Sequence, residues 1–295
     1  MEITIGTNPE FMVKYRGNCV YPSLSEENYA MRNNSDLTDK LDTIPRGDFG
    51  HCAEIRPLPA TSGKQLVLNT IDVMSTLPQE FKYHTKNTHM LSKEMMSMLL
   101  HIAGSKKIPQ AQNIYKKPIL KDCPLYLVAR KEGLRLLFCG CHMHISTTRT
   151  IRIKVGKEVV EHKENIDLPA ESLVWLFDNL LFSCFIREHG FNAGSHRSMG
   201  YYERKSHGGF EYRSLGSSAF TPKRLRLIAD LMIDITEQFM SRIDKSLAEL
   251  RNAHPETYNP TDFLSKDGKS MLKELKKTKP ITSPKGILKT WVPFI

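Results

Sequence analysis

An α+β fold is what this chain of 295 residues predicts, and three observations carry that expectation. Short apolar and β-branched runs follow one another between residues 125 and 160, with a hairpin signal at Gly156-Lys157. Two amphipathic helical patterns come after them, one over Leu173–Phe185 and one opened by Thr221-Pro222. The helices are inserted among strands and do not alternate strictly with them.

Taken in order, Ile3-Thr4-Ile5 reads as extended, Gly6 to Pro9 as a turn, and Phe11-Met12-Val13 as a continuation. Ser25 to Arg46 is polar without helical period and reads as loop. His51 to Arg56 is a short strand stopped by Pro57 and Pro59, because proline cannot donate to a ladder. Leu66, Val67, Ile71 and Met74 are helically spaced up to Pro78, and Ser92 to Ile102 is a second Met- and Leu-rich segment. Leu125–Arg130, Leu134–Phe138 and His142–Ser146 read as consecutive strands, and Ile151–Val155 with Glu158–Val160 as the hairpin. Leu173, Leu176, Phe177, Leu180, Leu181, Cys184 and Phe185 recur at the spacing one buried helix face requires. Thr221 offers a hydroxyl N-cap and Pro222 suits the first helical position, ahead of Ile228, Leu231, Met232, Ile235 and Phe239.

At 40% hydrophobic and 25% charged, the composition excludes disordered, collagen-like and disulfide-scaffold chains. Six cysteines are too sparse to staple a chain of this length, and nothing before Ile3 resembles a secretion signal. The longest apolar stretch, Leu173–Ile186, is too short for a bilayer and is interrupted by Asp178 and Asn179. The expectation is a soluble, cytoplasmic protein with reduced thiols and no membrane partner. A net charge of +10 invites a nucleic-acid reading. Half of that excess lies from Asp262 onward, where Lys266, Lys269, Lys273, Lys276, Lys277, Lys279, Lys285 and Lys289 stand against Asp262, Asp267 and Glu274. With few aromatics to stack on bases, this lysine tail reads as solvated surface, and nucleic acid is the disfavoured partner.

No glycine-lysine phosphate loop, no G-x-G-x-x-G after a strand and no H-E-x-x-H occurs. Four other places carry chemistry. In Gly6-Thr-Asn-Pro-Glu10-Phe11, a chain extended through Pro9 puts Asn8 and Glu10 on one face and Phe11 on the other. In Glu54-Ile-Arg56-Pro57, Glu54 and Arg56 share a face while Ala53 and Ile55 turn to the core; a surface ion pair is the bland alternative. In Cys139-Gly-Cys-His142-Met-His144, the two histidines share one strand face and Cys139 and Cys141 the other, so a zinc knuckle fits poorly. An open metal or phosphate site suits the histidine pair better, with a packed and a hydrogen-bonded histidine as the alternative. Between residues 197 and 213, Arg197, Arg204 and Arg213 offer planar donor forks for phosphate oxygens. Glu211 and Arg213 share a strand face there, with Tyr212 behind.

Together and in this order, these pieces resemble the carboxylate–amine ligases of the glutamine synthetase and glutamate–cysteine ligase fold. Within them they are most similar to the phage-encoded family called COOH-NH2 ligase type 2. That family's pattern runs G-x-D-P-E-F, then E-I-x-P-P or E-x-R-P, then G-x-H-x-H and R…Y-G…R…G-x-E-Y-R. Its counterparts here are Gly6…Pro9-Glu10-Phe11, Glu54…Arg56-Pro57, Gly140…His142…His144 and Arg197…Gly200…Arg204…Gly209…Glu211-Tyr212-Arg213, covering roughly residues 1–225. Asn8 stands where the family usually has aspartate, and Met199-Gly200-Tyr201 replaces its Tyr-Gly.

The resemblance implies a curved, largely antiparallel sheet with ligands on its concave face and helices packed on the other. It implies residues 1–255 as a catalytic domain, with 256–295 as a basic C-terminal extension. Glu10, Glu54, Glu211, His142 and His144 would hold Mg²⁺ (or Mn²⁺) against the phosphates of ATP, with His144 also near the nucleotide. Such carboxylates repel by about 4 kcal/mol per pair at 4 Å, which bound cations offset. Arg197, Arg204 and Arg213 would neutralise the transferring phosphoryl group, and Arg56 would steer the incoming carboxylate. The implied reaction is ATP-dependent amide formation through an acyl phosphate. Its substrates would be a carboxylate and an amine drawn from a peptide, a protein tail, a cell-wall component or a small amino acid, by a chain that is a candidate homo-oligomer. A guanidino-kinase-like phosphotransferase and a basic nucleic-acid-binding protein with a vestigial pocket are the rival readings.

Overall fold

The structure is a computed structural model that describes residues 1–16, 18–20, 43–45, 52–85, 88–91, 112–115, 135–156, 158–185, 199–243, 259–279 and 291. Most of the expected loop at 25–46, and the segments at 92–102 and 125–130, lie outside the described residues. The strands are β1 (Glu2–Tyr15), β2 (Asn18–Val20), β3 (Ala53–Glu54), β4 (Lys82–His84), β5 (Thr88–Leu91) and β6 (Gln112–Asn113). They continue with β7 (Arg135–Phe138), β8 (Cys141–Val155), β9 (Glu158–Ile166), β10 (Tyr201–Arg204) and β11 (Phe210–Tyr212). The helices are α1 (Gly63–Ser75), α2 (Ala170–Leu180), α3 (Pro222–Ile243) and α4 (Lys266–Leu275).

Nine strands form one sheet in the order β2-β1-β8-β11-β10-β6, with β3 and β4 also on β1 and β9 on β8. Every pairing is antiparallel, so mixed helix and antiparallel sheet is the architecture. The turn expected at Gly6–Pro9 is absent, because β1 runs unbroken through it. Partners hold it there: Gly6, Thr7, Asn8 and Pro9 lie opposite His144, Met143, His142 and Cys141 of β8. Pro9 has no N–H to give, but its carbonyl still accepts from the amide of Ile55 at 3.3 Å.

Alternation along β1, β8 and β11 sorts the side chains. Ile3, Ile5, Phe11, Val13, Met143, Ile145, Phe210 and Tyr212 are all buried in one core. Each such residue, when fully buried, contributes about 1.5–3 kcal/mol. The helices close that face, with α3 packed against β1 and against α1, α2 and α4. As expected, Thr221 caps α3, its hydroxyl accepting from the amide of Arg224 at 3.1 Å.

The described residues of the stretch expected as a basic C-terminal extension contribute side chains to the same core. Phe263, Leu264, Leu272, Leu275 and Trp291 are buried there. Trp291 stacks on Phe220 at 4.8 Å, and Phe220 meets Phe11 of β1 at 5.1 Å. The lysines of α4 and its end (Lys266, Lys269, Lys273, Lys276, Lys277, Lys279) are exposed, as a solvated face should be. Among the described residues no helix is long and apolar enough to cross a membrane.

The contact of α1 with α3 is close enough to demand a glycine. The amide of Gly63 donates to Asp230 at 2.6 Å, and a Cβ on Gly63 would stand 2.2 Å from the carbonyl oxygen of Arg226. Gly63→Ala is therefore expected to push the helices apart and cost about 3 kcal/mol, read from urea denaturation. Unchanged stability would mean that the two helices separate freely at this point.

Candidate functional site

The face of the sheet opposite the core gathers the charged residues. Glu211 of β11 lies directly opposite His144 of β8 on one side and Glu203 of β10 on the other. His144 in turn faces Gly6 of β1, and His142 faces Asn8. At the far end Glu10 pairs with Glu54 of β3. Cross-strand neighbours share a face, so residues distant in sequence are aligned by pairing alone. Glu10, Glu54, His142, Glu211 and Arg213 are nevertheless buried, at 4–6% exposure.

They form two clusters. The amide of Glu10 bonds to the carbonyl of Gly140, just before β8 and four residues ahead of His144, the partner of Glu211, and β1 lies two strands from β11. Strand geometry puts those backbones about 16 Å apart on a flat sheet. Register thus sets Glu10 and Glu54 at one position of the face and Glu211 at another, with His142 between them.

The first cluster centres on Glu211. Nδ1 of His142 donates to it at 2.7 Å, Nζ of Lys205 lies at 2.7 Å and a nitrogen of Arg213 at 3.2 Å. Arg213 and Lys205 also pair with Glu203, at 2.6 and 2.9 Å. Burial alone would raise the pKa of Glu211, but His142, Arg213 and His144 outweigh it and hold the carboxyl well below the usual range. Burial pushes the pKa of His144 down to about 4 despite the pull of Glu211, so its imidazole is neutral at pH 7. Nε2 of His144 is shielded from solvent without a hydrogen-bond partner, 3.9 Å from an oxygen of Glu211. That gap is too long for a hydrogen bond, yet within the span of two ligands placed at about 2.1 Å from one cation.

The second cluster holds Glu10 and Glu54. The amide of Gly140 donates to Glu10 at 2.8 Å. Glu54 pairs with Arg56 at 3.1 Å, and the Arg56 side chain is 62% exposed against 5% for Glu54. Sulfur also gathers here: ligand atoms of Glu10, Cys52 and Cys139 all lie within 4.8 Å of one another. Cys139 was expected on the face shared with Cys141 and away from these groups. The chain bridges from Gly140 to Gly216 just before β8, and Cys139 stands beside Glu10.

Arg204 is not brought to the face. It lies opposite Phe210 and reaches toward α2, pairing with Glu171 at 2.7 Å. The alternation of β10 puts Glu203 on the site side and Arg204 on the helix side, so Lys205, just beyond the strand, supplies the cation in its place. Arg197 lies outside the described residues. Glu203 and Lys205 are not among the residues expected from the sequence, although counting back by twos from Glu211 across a β10–β11 hairpin finds Glu203. Gly209 in the G-x-E-Y-R motif has a steric reason: a Cβ there would stand 2.5 Å from the carbonyl oxygen of Ile145. Only a glycine lets β11 approach β8 and deliver Glu211 to the histidines.

Beside His144 a pocket of about 220 Å³ opens between Thr4, Gly6, Asn8, Pro57, Pro59 and His207. It is smaller than the roughly 300–1,000 Å³ of drug-sized ligand sites, and suits a small group better than a nucleotide. Compared with protein-family models, curated proteins and solved structures, the chain has no match.

Proposed function

We propose that this protein is an ATP-dependent carboxylate–amine ligase with a glutamine-synthetase-like sheet. One observation carries the reading: acidic and imidazole groups from four distant segments are aligned on one sheet face, with Nε2 of His144 left open 3.9 Å from Glu211. An unpartnered neutral nitrogen beside an ionised carboxylate is a donor set that fits Mn²⁺ or Mg²⁺. Bound with such a cation, ATP would supply the phosphoryl group that activates a carboxylate for attack by an amine.

The chain's own residues have definable tasks. His144 and Glu211 would hold the cation, with His142 orienting Glu211 through its Nδ1–H. Lys205 and Arg213 would stabilise phosphate charge from the same side. Arg56, largely exposed beside Glu54, would meet the substrate carboxylate. The small pocket between Gly6, Pro57 and His144 would seat that carboxylate's end.

A second reading also has an observation behind it. The carboxylates of Glu203 and Glu211 are matched by Lys205 and Arg213, so the cluster is electrically satisfied with no cation. A pocket that has lost its chemistry would look like this. Thermal unfolding with and without nucleotide separates the two: Mn²⁺ or Mg²⁺ with ATP is expected to raise the midpoint by several degrees, as native-state ligands do. Absence of any shift at saturating nucleotide, together with no ADP release across a panel of carboxylates and amines, defeats the ligase reading.

A further inference from the structure

We propose that Glu10, Cys52 and Cys139 form a binding site for a thiophilic divalent cation, Zn²⁺, at the end of the sheet face away from Glu211. The inference rests on these ligands alone and stands whether or not the face turns over ATP. Their ligand atoms lie within 4.8 Å of one another. In tetrahedral zinc sites, metal–sulfur distances of about 2.3 Å put neighbouring sulfurs about 3.8 Å apart, so closure needs shifts of an ångström or less.

The three groups are held by backbone, not by mobile loops of their own. Glu10 sits in β1 with one carboxylate oxygen bonded to the amide of Gly140. The carbonyl of Cys139 accepts from the amide of Ser217 at 3.1 Å. Cys52 leads directly into β3, where Ala53 pairs with Phe11. All three are buried, at 0–4% exposure. Two sulfurs and a carboxylate are a borderline-soft set, which Zn²⁺ accepts and Mg²⁺, needing oxygen octahedra, does not. Zinc thus replaces a magnesium ion at this end of the face. Binding releases the thiol protons of Cys52 and Cys139 to solvent as the two Zn–S bonds form. Cys141 stays outside the site. Its thiol is buried in the core and contacts Thr7 at 3.6 Å.

The test uses the full chain, produced with zinc and purified without chelator. Elemental analysis is expected to find about one zinc per chain. Cobalt loading is expected to give the near-ultraviolet sulfur-to-cobalt charge-transfer band. Cys52→Ser and Cys139→Ser should each weaken zinc retention against a competing chelator by at least about tenfold, with the band reduced. Cys141→Ser, equally buried, should retain zinc like the parent, which separates loss of metal from loss of fold. Should the serine variants not fold, the cobalt band of the parent alone decides. No bound zinc after loading, a cobalt spectrum without the sulfur band, or a parent mass two hydrogens lighter from a Cys52–Cys139 disulfide would each overturn the proposal.

Discussion

Glu211→Gln is expected to abolish cation-dependent ATP turnover and to lower stability by about 3 kcal/mol. Both effects have the same source. The carboxylate is the shared partner of His142, Lys205 and Arg213, and Arg213 is only 5% exposed. Removing its charge leaves a buried guanidinium with Glu203 as its acidic partner, and takes away the negative charge that faces Nε2 of His144. Glu203→Gln is the control. It also takes a partner from Arg213, but leaves Glu211 and His144 in place, so stability should fall while turnover persists. Denaturation curves and ADP release on the two variants separate the roles. Turnover retained in Glu211→Gln, or lost equally in both, would mean that Glu211 is a structural anchor and nothing more.

Asp178→Asn should make the protein more stable at pH 8 than the parent, with the advantage vanishing near pH 4. Asp178 is fully buried in α2, and the hydroxyl of Tyr212 donates to it at 2.7 Å. Burial raises its pKa from 3.8 to about 7, more strongly than Tyr212, Gly200, Ser214 and Tyr115 lower it. Between those values the native chain holds a proton that the unfolded chain has released, so stability falls as pH climbs from about 4 to 7. At roughly 1.4 kcal/mol for each pH unit separating the two pKa values, the loss is on the order of 4 kcal/mol. Asparagine keeps an acceptor for Tyr212 and has nothing to ionise. Urea denaturation at pH 5 and pH 8 checks this through the difference between parent and variant. A difference that does not change with pH would mean that Asp178 is already charged in the native state.

The motifs were legible because strand periodicity is strict. Once Glu10 and Phe11 are known to sit on a strand, their opposite faces follow, and Glu10 and Phe11 do part in this way. The same count of two placed Glu211 and Arg213 together with Tyr212 behind. It failed at Arg204, where the motif pattern took precedence over alternation and the side chain turned to Glu171. It failed again at Gly6–Pro9, where a glycine and a proline signal a turn locally but two flanking strands hold the chain straight. Lysine density after Asp262 likewise masked Leu272, Leu275 and Trp291, whose burial depends on packing against α3 and Phe220.

Local chemistry written into the chain therefore settles which residues alternate, which helices start at Thr221 and which face of each element is apolar. Those are short-range consequences of φ/ψ preference and side-chain period. Register is a long-range matter. The offset between Glu10 and Glu211 along the sheet, and the approach of Cys52 to Cys139, depend on how far β8 slides against β1 and β11. Nothing within any single segment encodes that offset, because it is set by the joint packing of the core on the other side of the sheet.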